Sequence, residues 1–160
     1  SSTSRGLGDV YKRQVYTRSN VRGEQVYMFP IQGLTQPQVQ QLFMAYLQHA
    51  KELQQHPQWY NTLIRNCTTV IFDMARAIDP QSFPWDYRIL ASGYVPNYLY
   101  DEGLLPQQIN GAPHHWDIDQ WYIKAHVNPK VADFSFEDNQ DPDAYSQKVR
   151  QGLPQPRLVP

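Results

Sequence analysis

Cys67 is the residue whose type and setting point most directly to chemistry. It is the single cysteine of the chain, which excludes an intrachain disulfide and any site built on several thiolates. A thiolate is a nucleophile, and a thiol at a helix N-terminus ionises more readily because unpaired N–H groups and the helix dipole favour negative charge there. The surrounding sequence predicts that setting. Cys67, Val70, Ile71, Met74 and Ile78 form one stripe at helical spacing, and Asp79-Pro80 closes the run. Asn66 is a suitable N-cap, so Cys67 becomes the first helical residue, with the N–H groups of Cys67 and Thr68 available to an oxyanion. The same stripe equally suits a small, inert, buried hydrophobe, and spacing alone leaves both readings open.

Cysteine chemistry needs a base, ordinarily an imidazole held by a third group. The histidines are His49, His56, His114, His115 and His126. His49 falls on the polar side of a helix, His56 at its end, and His126 near another helix end; local sequence pairs none of them with Cys67. His114-His115-Trp116-Asp117-Ile118-Asp119 offers two imidazoles and two carboxylates within six residues. Adjacent side chains diverge, no HxxxH or HExxH spacing occurs, and Asp117 has a use as a helix cap, so no metal or other cofactor is expected. Asn66-Cys67-Thr68 also satisfies the N-x-[ST] sequon, a coincidence at the head of a buried helix.

The elements that must position these residues begin with a long helix. Thr35-Gln36-Pro37-Gln38 has the form of a capping box with proline in the first turn. Val39, Leu42, Phe43, Tyr46, Leu47, Ala50 and Leu53 then recur at helical spacing before His56-Pro57. Upstream, Val15-Tyr16-Thr17 and Gln25 to Ile31 are short and rich in β-branched and aromatic residues, which predicts two strands or a hairpin. Downstream come Trp85 to Ala91, Pro96 to Glu102 closed by Gly103, an amphipathic run of Ile118, Trp121, Tyr122 and Ala125 opened by Asp117, and a turn of helix around Ala144 to Arg150.

Composition narrows the function classes. The 160 residues carry 14 basic and 15 acidic groups, a balance that provides no basic field for nucleic acid. Charged residues make up 18% of the chain, and glutamine, at 19 copies, supplies much of the polar surface. The longest apolar run, Leu42 to Leu47, is far short of the about 20 residues that span a bilayer, so no transmembrane segment is expected within the chain. Ser1 to Gln14 lacks the apolar stretch of a secretory signal and resembles the conceptual translation of sequencing-adapter DNA. Without it the chain loses three basic groups and one acidic group, for a net charge of −3.

Tyr60-Asn61-Thr62-Leu63-Ile64-Arg65-Asn66-Cys67-Thr68-Thr69 resembles the signature of the Lnb N-terminal periplasmic domain family of bacteria. Val26-Tyr27 with Phe29-Pro30, Pro57 before Trp59-Tyr60, Ser92-Gly93-Tyr94-Val95-Pro96-Asn97-Tyr98-Leu99-Tyr100, Gly103-Leu104-Leu105 and Val149-Arg150-Gln151-Gly152-Leu153-Pro154 extend the resemblance across residues 15–160. It implies an α+β, papain-like fold of the circularly permuted NlpC type, with helices packed on an antiparallel sheet. It also implies a cysteine-dependent acyl-transfer or hydrolase domain in which Cys67 is the nucleophile, supported by Asn66, Thr68, Tyr60 and Arg65. Lipoprotein or phospholipid acyl groups would be its partners, and its location would be periplasmic or associated with the inner membrane.

In such proteins the histidine precedes the cysteine, so the expected domain is N-terminally truncated at Val15. Its base and part of its sheet would lie upstream, and the fragment would be inactive by itself. The expected organisation is a non-native stretch over residues 1–14, the domain over 15–136, and a Pro-rich tail over 137–160 that ends it. The competing reading is a non-catalytic envelope binding or scaffold module. A third is that the fragment does not fold alone.

Overall fold

A computed structural model describes residues 12–55, 67–81, 83–109, 112–139, 141, 143–155 and 159. Its elements are α1 (Gln36–Gln55), α2 (Cys67–Ile78), α3 (Val95–Asp101), β1 (Gln108–Ile109), β2 (Ala112–Pro113), α4 (Ile118–Ala125), α5 (Asn128–Val131) and α6 (Ala144–Arg150). The chain divides into two compact units. One comprises residues 1–30 with 107–154, the other residues 31–106 with 155–160.

The architecture is mostly helical and corrects the expected papain-like arrangement of helices on an antiparallel sheet. Among the described residues the one ladder is the two-residue pair β1–β2, with Gln108 opposite Pro113 and Ile109 opposite Ala112. Val15-Tyr16-Thr17, expected as a strand, is helical: residues 12–16 form an α-turn that widens into a π-turn over Thr17–Val21. The Ser19 hydroxyl donates to the Val15 carbonyl at 2.9 Å, a side-chain bond back into the preceding turn that competes with regular helix bonding. Residues 25–31 form no strand and gain no hairpin partner among the described residues. Tyr27 forms an isolated antiparallel bridge with His126, flanked by Met28 N–H to Ala125 O and Val127 N–H to Val26 O, each 2.9 Å.

That segment is held chiefly by Asn128. Its Oδ1 accepts from Val26 N–H at 2.9 Å and its Nδ2 donates to Glu24 O at 2.9 Å. Below this clamp lies the core of the first unit, where Val127, Val131, Phe134, Tyr145 and Val149 are buried together and Val15, Tyr16, Val26 and Met28 pack against them. Tyr145 meets Tyr16, Phe134 and Phe136 at ring distances of 5.9, 5.1 and 5.3 Å. Residues 137–160, expected as a Pro-rich tail, thus contribute α6 and two of its side chains, Tyr145 and Val149, to this core.

In the second unit, α1 starts as its sequence predicts. Gln38 Oε1 accepts from Thr35 N–H at 2.8 Å, and Gln38 N–H donates back to Thr35 Oγ1 at 3.3 Å, the reciprocal bonds of a capping box. Thr35→Ala is expected to lower stability by about 1 kcal/mol, read as a shift in the urea midpoint; an unchanged midpoint would show that the cap is dispensable. α1 packs against α2, and Gln38 Nε2 donates to Asp79 Oδ2 at 3.1 Å just beyond the end of α2. Yet much of the apolar stripe of α1 is uncovered: Val39, Phe43, Tyr46 and Leu47 are exposed, Phe43 by half, and Leu42 is half-buried. The core of this unit instead gathers Phe72, Ala75, Phe83, Ile89, Tyr98, Leu99, Leu104 and Leu105.

Candidate functional site

Cys67 is the first residue of α2, a twelve-residue helix. Val70, Ile71, Met74 and Ile78 follow it at the predicted spacing, but among residues 68–78 the buried positions are Thr69, Phe72 and Ala75, while Ile71 is exposed. Thr68 is half-buried in the first turn and Thr69 buried behind it. Asn66, Arg65 and Tyr60, the other site residues taken from the sequence, lie outside the described residues.

The histidines are distributed over both units. His49 sits half-buried in α1, and His56 is outside the described residues. His114, His115 and His126 belong to the first unit. His126 caps the C-terminus of α4, stacks on Tyr27 with ring centroids 4.9 Å apart, and pairs through Nε2 with Gln25 Oε1 at 2.7 Å. His114 accepts from Trp116 N–H through Nδ1 at 3.3 Å and lies 4.4 Å from the Trp116 ring. Asp117 takes the capping role read from the sequence: its side chain accepts from Gln120 N–H at 2.8 Å, and Gln120 Oε1 accepts from Asp117 N–H at 3.0 Å. Among the described residues no three His, Cys, Asp or Glu side chains are grouped to hold a metal ion.

The unit that contains α2 also holds a charge clamp that sequence reasoning missed. Arg88 grips Asp86 through Nε and Nη2, both at 2.9 Å, and donates to Asp101 at 2.5 Å. These side-chain bonds from Arg88 hold the Asp86 carboxyl below its ordinary range, and the two carboxylates raise the guanidinium in turn. The signal was local, an Asp two residues before an Arg, but its third member is thirteen residues on. Beside it Tyr98 is fully buried, its ring 5.3 Å from Phe72 of α2 and its hydroxyl donating to Pro84 O at 2.8 Å.

Burial pushes the Tyr98 phenol from 10.0 up to about 12. A raised phenol keeps its proton in the folded state after the unfolded chain has lost its own, so this contribution is complete below pH 10 and disappears between about pH 10 and 12. Urea midpoints taken across that range should fall, and less steeply in Tyr98→Phe. Equal slopes in the two proteins would refute the assignment.

Taken together, these features define a mostly helical domain of two units with a lone cysteine at the head of one helix. The Lnb N-terminal periplasmic domain family matches residues 9–93, more than half of the chain, and the chain belongs to that family. It is accordingly a periplasmic, envelope domain. The matched segment contains Cys67 and the whole of α1 and α2. No curated protein and no solved structure matches the chain. No described helix is long and apolar enough to cross a membrane.

Proposed function

We propose that this domain carries out cysteine-dependent acyl transfer or acyl hydrolysis with Cys67 as the nucleophile. The observation that carries the reading is the position of Cys67 as the first residue of α2, inside the segment matched by the family. The positive end of the helix dipole lies at that first turn. It lowers the cost of a thiolate and of the oxyanion formed when that thiolate attacks an acyl carbonyl. The Cys67 sulfur bonds to the carbonyl carbon, the bond to the leaving group breaks, and the leaving group departs with the proton that a general base took from the thiol. Water or an amine then releases the acyl group from the thioester. Asn66, Thr68, Tyr60 and Arg65 are assigned to shaping this site, and acyl groups of phospholipids or lipoproteins are its proposed substrates, met at the inner membrane.

The test is alkylation of the whole protein by iodoacetamide across pH 5–9. An activated Cys67 labels faster than a free thiol below the ordinary cysteine pKa of about 8.5. Labelling that follows a free thiol would overturn the reading.

A binding or scaffold role is the second reading, favoured by the apolar face that α1 leaves exposed. It predicts an unreactive Cys67.

A further inference from the structure

A separate feature of the first unit is a cavity of about 260 Å³ between α6 and the segments that carry Val15 and Met28. Its walls follow from the local backbone. On α6 the lining residues Tyr145, Ser146, Val149 and Arg150 fall at i, i+1, i+4 and i+5, one face of a helix. Val15 closes a side from the helical turn over residues 12–16. Met28 closes another, its backbone fixed by the 2.9 Å bond from its N–H to Ala125 O. Tyr145 and Val149 belong to the buried cluster of this unit, so the core backs the cavity.

The lining holds two cations in different states. Lys12 Nζ donates to Asp143 Oδ1 at 2.9 Å, and that ion pair is balanced. Arg150, the last residue of α6, is exposed and folds back along its helix, donating through Nη1 to the Ser146 carbonyl at 3.1 Å and to the Ser146 hydroxyl. Both of those acceptors are neutral, and among the described residues no carboxylate pairs with Arg150. The Tyr145 hydroxyl is turned to Ser19. The cavity thus combines the side chains of Val15, Met28 and Val149 and the Tyr145 ring with one uncompensated positive charge, held in place by Ser146.

We propose that this cavity binds a short-chain monocarboxylate, with its tail against Val15, Met28, Tyr145 and Val149 and its carboxylate on the Arg150 guanidinium. An apolar cavity with a single placed polar group is the ordinary form of a small-molecule site. A volume of about 260 Å³ falls just below the range of about 300–1,000 Å³ for drug-sized ligands, which limits the tail to a few carbons. A planar guanidinium matches a carboxylate in a two-bond grip. Lys12 and Arg150 against Asp143 leave one net positive charge, which a monoanion neutralises. This inference is independent of the reading of Cys67, since it involves neither that residue nor α2.

The experiment is titration of the full chain, labelled at its methionine methyl groups for NMR, with butanoate, hexanoate and octanoate. Of the three methionines, Met28, Met44 and Met74, only Met28 lines the cavity. Its methyl resonance should move and the other two should stay. Each added methylene should tighten binding about fourfold through apolar burial. Arg150→Gln should weaken octanoate about tenfold by removing a charged partner, while octanol binding and the urea midpoint stay unchanged because Arg150 is exposed. The proposal is overturned if the Met28 resonance does not move, if Met44 on the exposed face of α1 moves at the same midpoint, or if Arg150→Gln binds octanoate as tightly as the unaltered chain. Tighter binding of N-acetyl-leucyl-phenylalanine through Met28 and Arg150 would likewise overturn it, by making a peptide C-terminus the occupant.

Discussion

Replacing Cys67 by serine is expected to reduce acyl transfer by the whole protein on the order of 10⁶-fold, the scale of removing a covalent nucleophile from a hydrolase. A serine hydroxyl at the same helix head fits in volume but stays protonated at neutral pH, since the helix N-terminus lowers a thiol into the accessible range and leaves an alcohol far above it. The fold should tolerate the change, because serine is an ordinary residue in the first turn of a helix. The measurement is hydrolysis of a soluble activated acyl ester alongside a urea titration of the same preparation. Full activity in a folded Cys67→Ser protein would remove Cys67 from the chemistry. Loss of activity with an unchanged urea midpoint is the result the proposed function requires.

The second large effect is on stability. Tyr145→Ala should lower the free energy of unfolding by about 3–5 kcal/mol, the range for truncating a large aromatic in a packed core. The side chain is 1% exposed and touches the rings of Tyr16, Phe134 and Phe136, so the cavity has few neighbours free to collapse into it. Tyr145→Phe separates packing from polarity. It keeps the ring and loses only the hydroxyl contact to Ser19 Oγ at 3.4 Å, a change worth about 0.5–1.5 kcal/mol. Urea unfolding followed by far-UV circular dichroism checks both. An alanine variant no weaker than the phenylalanine variant would mean that residues beyond 137 do not belong to the core of the first unit.

Tyr145 also illustrates why parts of this fold were hidden from the sequence. Its helix, Ala144–Arg150, is seven residues long and sits between acidic and Pro-rich stretches, which look like a tail when read locally. Its burial depends on Tyr16, Phe134 and Phe136, and no window of a dozen residues contains all of them. The segment 25–31 carries the same lesson in another form. Its β-branched and aromatic content is compatible with a strand, but its partner is the turn around His126 to Asn128, with the Val26–Asn128 bond spanning 102 residues. Strand propensity reports fitness for a pleated surface and says nothing about whether a sheet exists to receive it. Here none does among the described residues, so Tyr27 makes an isolated bridge.

What could be read directly was decided within about four residues of itself. The Thr35–Gln38 and Asp117–Gln120 capping boxes, the helix over Gln36–Gln55, the start of α2 at Cys67, and the stop after α3 at Gly103, with φ 67°, all rest on bonds between near neighbours. Such bonds form whatever the rest of the chain does. The sequence around Cys67 resembles the family's signature, and the family match covers residues 9–93.

Tertiary structure decided which apolar faces are covered, and it decided against the simplest reading of amphipathic pattern. The stripe of α1 meets α2 on part of its length and water on the rest, whereas Tyr98, Trp121 and Tyr145 are enclosed. Periodicity shows that a helix has an apolar side; only the position of the other elements determines whether that side faces protein. The outward rings of Trp85 and Tyr87 and the inward ring of Tyr98 are of one chemical kind and lie within fourteen residues. Their opposite fates follow from the extended backbone at Asp86 and the packing of Phe72 against Tyr98, because hydrophobic burial is a property of the assembled core rather than of the residue.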